Sequence, residues 1–265
     1  EFWQLGIELL GASGVKADAE VITIAVQALQ DIGLDNFKVS LNQIGIFNSL
    51  LDDSGMNLED RSLIRGLVEK KDLVELSRVL EEMTIDDGLK ETIAALPVLH
   101  GGIEVLNRIP YVEKNRSAST AINDLIQIYD VLKVSGVQDK IVLDMGVLRG
   151  LDYYTGIVFE GYSPDLGYGL LGGGRYDNLM GKFGFPCPAT GFSLGMDRLA
   201  LVLKHQQSET QRYLLGGSNF QAMVDKAQKL REEGNIVEMD VLGSNRETLE
   251  QVARERENCK LIYLD

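Results

Sequence analysis

From Lys140 to Leu203 the chain is a series of short strand-forming runs punctuated by glycine: "KIVLDMGVLRGLDYYTGIVFEGYS", then "LGYGLLGGGRYDNLMGKFG", then "GFSLGMDRLALVL". Such a block has to form sheet. At the other end, "EFWQLGIELLG" alternates with period two, placing Trp3, Leu5, Ile7 and Leu9 on one face and Gln4, Gly6 and Glu8 on the other. The apolar face suits a sheet packed on its own core. The polar face offers an amide, a bare glycine position and a carboxylate. That set can hold a small ligand with an ammonium or imidazole N–H, or it can line a solvated edge.

Between these sheet blocks the pattern is helical. "DAEVITIAVQALQDIG" carries Asp18 as a candidate N-cap and Gly33 as a stop, and "NFKVSL" follows as a half-buried strand. From about Ile44 to Leu132, stretches such as "LEDRSLIRGLVEKKDLVELSRVLEEM" and "SASTAINDLIQIYDVLKVSG" are amphipathic, with charge on the outward faces. The polar "LKHQQSETQ", Leu203 to Gln211, reads as a linker. Beyond it "RYLLGG", "NFQAMVDKAQKLREEG", "NIVEMDVL", "NRETLEQVARERE" and "KLIYLD" run strand, helix, strand, helix, strand. The expected division is a core over residues 1–204 and a shortened α/β unit over 205–265.

A chain of 265 residues, 45% hydrophobic, can bury a full core. It has no run of about 18 apolar residues, and its first residues lack a basic segment followed by an apolar one, so the expectation is a cytoplasmic protein without a membrane span. Cys187 and Cys259 stand far apart with neither a CxxC pair nor a histidine cluster, which predicts reduced thiols and no metal site. The formal net charge of −14 gives no whole-chain footprint for nucleic acid. His100 and His205 are the only imidazoles, and neither stands in a triad-like arrangement.

The densest chemistry lies in "RGLDYYTG", Arg149 to Gly156: a guanidinium, a carboxylate and two phenols between glycines. Arg149 can neutralise a carboxylate or phosphate, or it can form a buried pair with Asp152 beside two core tyrosines. "GLLGGGRYDNL" sets Gly172 to Gly174 before Arg175, Tyr176 and Asp177. It lacks both dinucleotide and P-loop spacing, and reads as a tight turn or as a strand whose backbone a ligand can approach. In "GFSLGMDRLALVL", Arg198 falls in the first turn of an apolar helix, where the dipole disfavours it. A phosphate ligand, Asp197 or a remote carboxylate would compensate it.

Together these segments resemble the class II aminoacyl-tRNA synthetase core, specifically its histidyl branch. "FWQLGIELLG" is similar to the second strand of motif 2, "LRGLDYYTGIVFEGY" to the histidine-specific signature, "LGGGRYDNL" to the following strand and turn, and "GFSLGMDRLALVL" to motif 3, in the family's order over roughly Glu1 to Lys204. The resemblance implies an α+β fold with an antiparallel sheet core, a helical insertion and a small C-terminal α/β unit. It also implies that Gln4, Glu8, Arg149, Tyr153, Tyr154 and Tyr176 bind histidine, and that Arg198, the motif 3 arginine, is the remnant of a nucleotide site.

The histidyl family has two branches, the true synthetases and the regulatory subunits of short-form ATP phosphoribosyltransferase, which keep the fold but do not charge tRNA. "FWQLGIELLG", "LNQIGIFNSLL" and "YYTGIVFEGYSPDLGYGLLGGG" are similar to the regulatory branch. Residues 205–265 carry eight Lys+Arg against eleven Asp+Glu, a net of −3, which is poor material for gripping an anticodon stem. The resemblance to that branch implies a non-catalytic subunit of the first step of histidine biosynthesis, with no cofactor. Its implied partners are the catalytic phosphoribosyltransferase subunit, a second copy paired through the core, and free histidine; tRNA is not expected. The alternative is a histidyl-tRNA synthetase, which the presence of Gln4, Glu8, Arg149 and Arg198 keeps open.

Overall fold

A computed structural model of the chain describes residues 2–148, 153–203 and 211–265. Two compact units emerge, Glu1–Lys204 and His205–Asp265.

The first unit is built on strands β1 (Gln4–Leu10), β2 (Lys38–Gln43), β3 (His100–Gly101), β4 (Ile141–Asp144), β5 (Ile157–Tyr162), β6 (Gly169–Arg175) and β7 (Ala189–Gly195). They form one sheet in the order β1-β7-β6-β5-β2-β4-β3. Neighbours are antiparallel except β2 and β4, which run parallel, so the sheet is mixed rather than wholly antiparallel. The reason lies in the connection. A parallel pair needs a long crossover, and the helical insertion between β2 and β4 supplies it.

Helix α1 (Val15–Asp31) buries Ala19, Ile22, Val26 and Leu29, spaced three and four apart, which is one face of a helix. The insertion comprises α2 (Ile44–Asp53), α3 (Leu58–Glu69), α4 (Leu73–Glu82), α5 (Asp87–Ala95) and α6 (Arg116–Val134). The last four start on side-chain caps: Asn57, Asp72, Asp86 and Asn115 each accept from a backbone N–H three residues on. Together α1, α2 and α6 form the layer over one sheet face and share a single core with Val39, Leu41, Phe159 and Phe192. A short helix, α7 (Met196–Val202), follows β7.

Two local expectations are corrected. Asp18 does not cap α1; Gly14 stands at the cap, and Asp18 lies one turn in, buried against Arg175. The apolar side of β1 is not packed on the core either. Trp3, Leu5 and Ile7 are 67%, 60% and 38% exposed, and only Leu9 packs against the core, because α1 sits mainly over β7.

The second unit contains β8 (Arg212–Gly217), α8 (Phe220–Glu232), β9 (Ile236–Met239), α9 (Arg246–Arg254) and β10 (Cys259–Leu264). Its three strands are parallel in the order β10-β8-β9. Alternation along β8 serves both faces, with Leu215 meeting Met223 and Leu230 of α8 while Leu214 meets Leu249 and Ala253 of α9. Among the described residues no helix is long and apolar enough to cross a membrane.

Candidate functional site

Cross-strand partners share a face, so the registers define what the open side of the sheet presents. One row runs Glu8, Gly191, Gly174, Val158, Asn42. The next runs Gly6, Ser193, Gly172, Glu160, Ser40. Where the two rows cross β6 neither carries a side chain, which leaves a glycine floor between Glu8 and the centre of the sheet. The three consecutive glycines therefore belong to a central strand, not to a tight turn. Gly173 faces the other way, and a Cβ there would meet the Phe159 ring at 2.7 Å and the Phe192 Cβ at 2.6 Å.

Over this floor stand three phenols. The Tyr154 ring covers Gly174, where an added Cβ would lie 2.8 Å from ring atom Cε1. Tyr153 packs on Tyr154 with ring centroids 4.7 Å apart and meets Tyr176 edge-on at 5.9 Å. The Tyr176 hydroxyl donates to a carboxylate oxygen of Glu8. Burial, reinforced by the Glu8 carboxylate, pushes the Tyr176 phenol well above the ordinary tyrosine range. Glu8 in turn lies directly over Gly191, whose missing Cβ would fall 1.7 Å from a carboxylate oxygen. The arrangement is a carboxylate fixed among aromatic rings, suited to a ligand with an N–H or ammonium donor and a flat or apolar body.

Gln4 lies two residue pairs further along β1, roughly 13 Å from Glu8 at strand spacing. It lines a neighbouring cleft of about 410 Å³ with Phe2, Glu160, Ser193 and Arg198. The Arg198 guanidinium donates to the Gly169 carbonyl at 2.5 Å and stacks 5.9 Å from the Tyr168 ring, while Asp197 accepts from the Trp3 backbone N–H. The structure thus joins Glu8 with Tyr153, Tyr154 and Tyr176, and joins Gln4 with Arg198. Arg149 lies outside the described residues.

Sequence reasoning missed three supports of this site. Arg175, at the end of β6, forks onto Asp18 at 2.8–3.0 Å, and its Nη1 reaches Asp177 at 2.9 Å. Burial raises the Asp18 carboxyl above its ordinary value against the pull of Arg175. Asn42, 1% exposed, donates through Nδ2 to the carbonyls of Met145 and Val147 at 3.1 and 3.0 Å, fixing the turn that precedes position 149 in the sequence. Ser40 lies buried in the second row. The only available signals were an Asp one turn inside a helix and polar residues at alternate positions of "NFKVSLNQ". Among the described residues no group of three or more His, Cys, Asp or Glu could hold a metal ion.

The fold and its glycine floor define a class II synthetase-like core. The crystal structure of histidyl-tRNA synthetase from Nostoc sp. PCC 7120 superposes with TM-score 0.82 over all of this chain and 67% of that one, at 19% identity, a likeness of fold alone. The crystal structure of an ATP phosphoribosyltransferase regulatory subunit/histidyl-tRNA synthetase from Bacillus halodurans C superposes with TM-score 0.84 over all of this chain and 69% of that one, at 29% identity. The family described as Histidyl-tRNA synthetase matches residues 1–199, and the chain belongs to that family. ATP phosphoribosyltransferase regulatory subunits of Moorella thermoacetica and Desulfitobacterium hafniense (strain Y51) are 38% and 36% identical over 96% and 99% of this chain. The chain spans 65% and 67% of those relatives' lengths.

Proposed function

We propose that this chain belongs to a regulatory subunit of ATP phosphoribosyltransferase, which the catalytic subunit requires in the first step of histidine biosynthesis. The observation that carries the reading is the likeness to regulatory subunits at 36–38% identity through both units of the chain. In this reading the Glu8–tyrosine pocket holds free histidine, with the imidazole N–H or ammonium on Glu8 and the ring among Tyr153, Tyr154 and Tyr176. Gln4, on the same face of β1 but in the neighbouring cleft, is assigned to the same ligand by the family resemblance, as is Arg149, and Arg198 is what remains of a nucleotide site. The acidic second unit supports a protein partner rather than tRNA. Histidine can regulate only if it binds the active and inhibited assemblies unequally.

A homodimer through the core is part of the proposal, supported by the exposed apolar side chains Trp3, Leu5 and Ile7 along edge strand β1. Action in the cytoplasm is part of the same proposal. The second reading, a histidyl-tRNA synthetase, is favoured by the retention of Gln4, Glu8 and Arg198. A charging assay with full-length protein, histidine, ATP, magnesium and cognate tRNA separates the two. The regulatory reading expects no histidyl-tRNA, and turnover on the order of 1 per second would replace it with the synthetase reading.

A further inference from the structure

Gly66 stands in the interior of α3, and glycine is among the poorest residues for a helix interior. The fold supplies no reason for it. Its backbone is helical, so no left-handed φ requires it, and a Cβ there would meet nothing within 4 Å. The other glycines inside the α-helices, among the described residues, are accounted for from within. A Cβ on Gly45 would meet the Ala121 Cβ at 3.3 Å, and one on Gly88 would meet Asp86 Oδ1 at 3.1 Å. Gly66 lies two residues from Ile64 and Val68 on the buried side of α3, which at about 100° per residue is the outward side. A bare position there leaves room for something from outside the chain.

Two clefts flank that outward side. One, of about 440 Å³, opens toward α2 and holds Asp52, Arg61 and Arg65; the other, of about 560 Å³, holds Glu59, Leu63 and Lys70; Leu58 and Ser62 line both. Leu58 and Leu63 are 83% and 47% exposed, apolar area that a protein surface would bury and a small anion would not. The two linings carry Arg61, Arg65 and Lys70 against Asp52 and Glu59, a cationic balance on a chain whose formal net charge is −14. Asp52 is already joined to Arg61. Among the described residues the partners of Arg65 are neutral: Nη2 donates to Asn48 Oδ1 at 2.8 Å, and the guanidinium lies 5.6 Å from the centre of the buried Phe47 ring. These contacts fix a positive group at the rim of an apolar ridge, where it suits a carboxylate from a partner. A second copy of this chain is the poorer fit, because a two-fold pairing would set the same cations opposite one another.

We propose that the outer face of α3 is where the catalytic phosphoribosyltransferase subunit docks, through an apolar helix whose edge carries Asp or Glu. That helix crosses α3 at Ser62 and Gly66, where the missing side chain lets the two backbones approach. It buries Leu58 and Leu63 and sets its carboxylates against Arg65 and Lys70. The inference rests on the regulatory reading for the partner's identity and adds the surface that meets it.

The test is calorimetric titration of the full-length protein that contains this chain with the catalytic subunit, alongside the melting temperature and light-scattering mass of the protein alone. Gly66→Gln puts a good helix former into open space, so it should raise the melting temperature by about 2–4 °C while weakening binding at least about tenfold. A glycine with a merely structural role would give the first change without the second. Arg65→Glu should also weaken binding at least about tenfold. Gly66→Gln that binds the catalytic subunit as the parent does overturns the proposal and leaves the regulatory reading standing. A parent that does not bind the subunit brings down the reading and this surface together. A fall in the mass of the protein alone in Gly66→Gln would assign the face to a second copy and overturn the proposal as well.

Discussion

Tyr176 donates its phenolic hydrogen to Glu8, so the residue just past β6 grips the edge strand from across the glycine floor. Glu8 is thereby held in one orientation above Gly191 rather than left free on an exposed strand. If Glu8 is the group that meets histidine, Glu8→Gln keeps the acceptor for Tyr176 and removes only the charge offered to the ligand. Histidine binding should weaken by about 1.5–3 kcal/mol, read by calorimetry. Undiminished affinity would remove Glu8 from the pocket.

The same contact has a pH signature. The folded-state pKa of Tyr176 stands above that of an unfolded tyrosine, so its contribution to stability is complete below about pH 10 and is lost as pH rises through the folded value. Alkaline unfolding followed by circular dichroism should show a shallower decline above about pH 10 in Tyr176→Phe than in the parent. Parallel declines would mean that the phenol ionises normally.

Gly191→Ala should injure the site from below. The added Cβ would overlap the Glu8 carboxylate and lie 2.5 Å from the Ile7 carbonyl oxygen, so Glu8 must leave its place over the floor. A loss of histidine affinity of at least about tenfold is expected, together with a lower melting temperature. Normal affinity in the folded variant would show that the carboxylate can bind from another position.

How far the sequence revealed this depended on the range of the interaction. Period two along "FWQLGIELL" identified a strand and which residues share a face, because that is local geometry. It did not reveal that Leu5 and Ile7 are exposed, since coverage depends on where α1 lies. The division into helical insertion and glycine-punctuated strands was legible, whereas the parallel β2–β4 pairing follows only from how the insertion returns to the sheet. Glu8 and Tyr176 came from the family resemblance, and their contact spans 168 residues. Asp18 looked like a cap because Asp commonly is one. Its partner Arg175 is 157 residues away, beyond the reach of any periodicity.

That ion pair yields its own prediction. Arg175→Ala leaves the buried Asp18 carboxylate without its fork and should cost about 3–5 kcal/mol in denaturant unfolding. Loss of less than about 1 kcal/mol would show that water or Asp177 rearrangement rescues the site.

The edge strand supplies another. Leu5→Glu places a charge on the exposed apolar side of β1 and should shift light-scattering mass from dimer to monomer without altering the circular dichroism spectrum. A variant that remains dimeric would move the interface elsewhere.

The most direct measurement of the central claim is ATP phosphoribosyltransferase activity of the catalytic subunit, with and without the full-length protein that contains this chain, across a histidine titration. The account predicts activity that depends on adding this protein and falls as histidine rises, with Glu8→Gln shifting the inhibition to higher histidine. Equal activity with and without it would contradict the account.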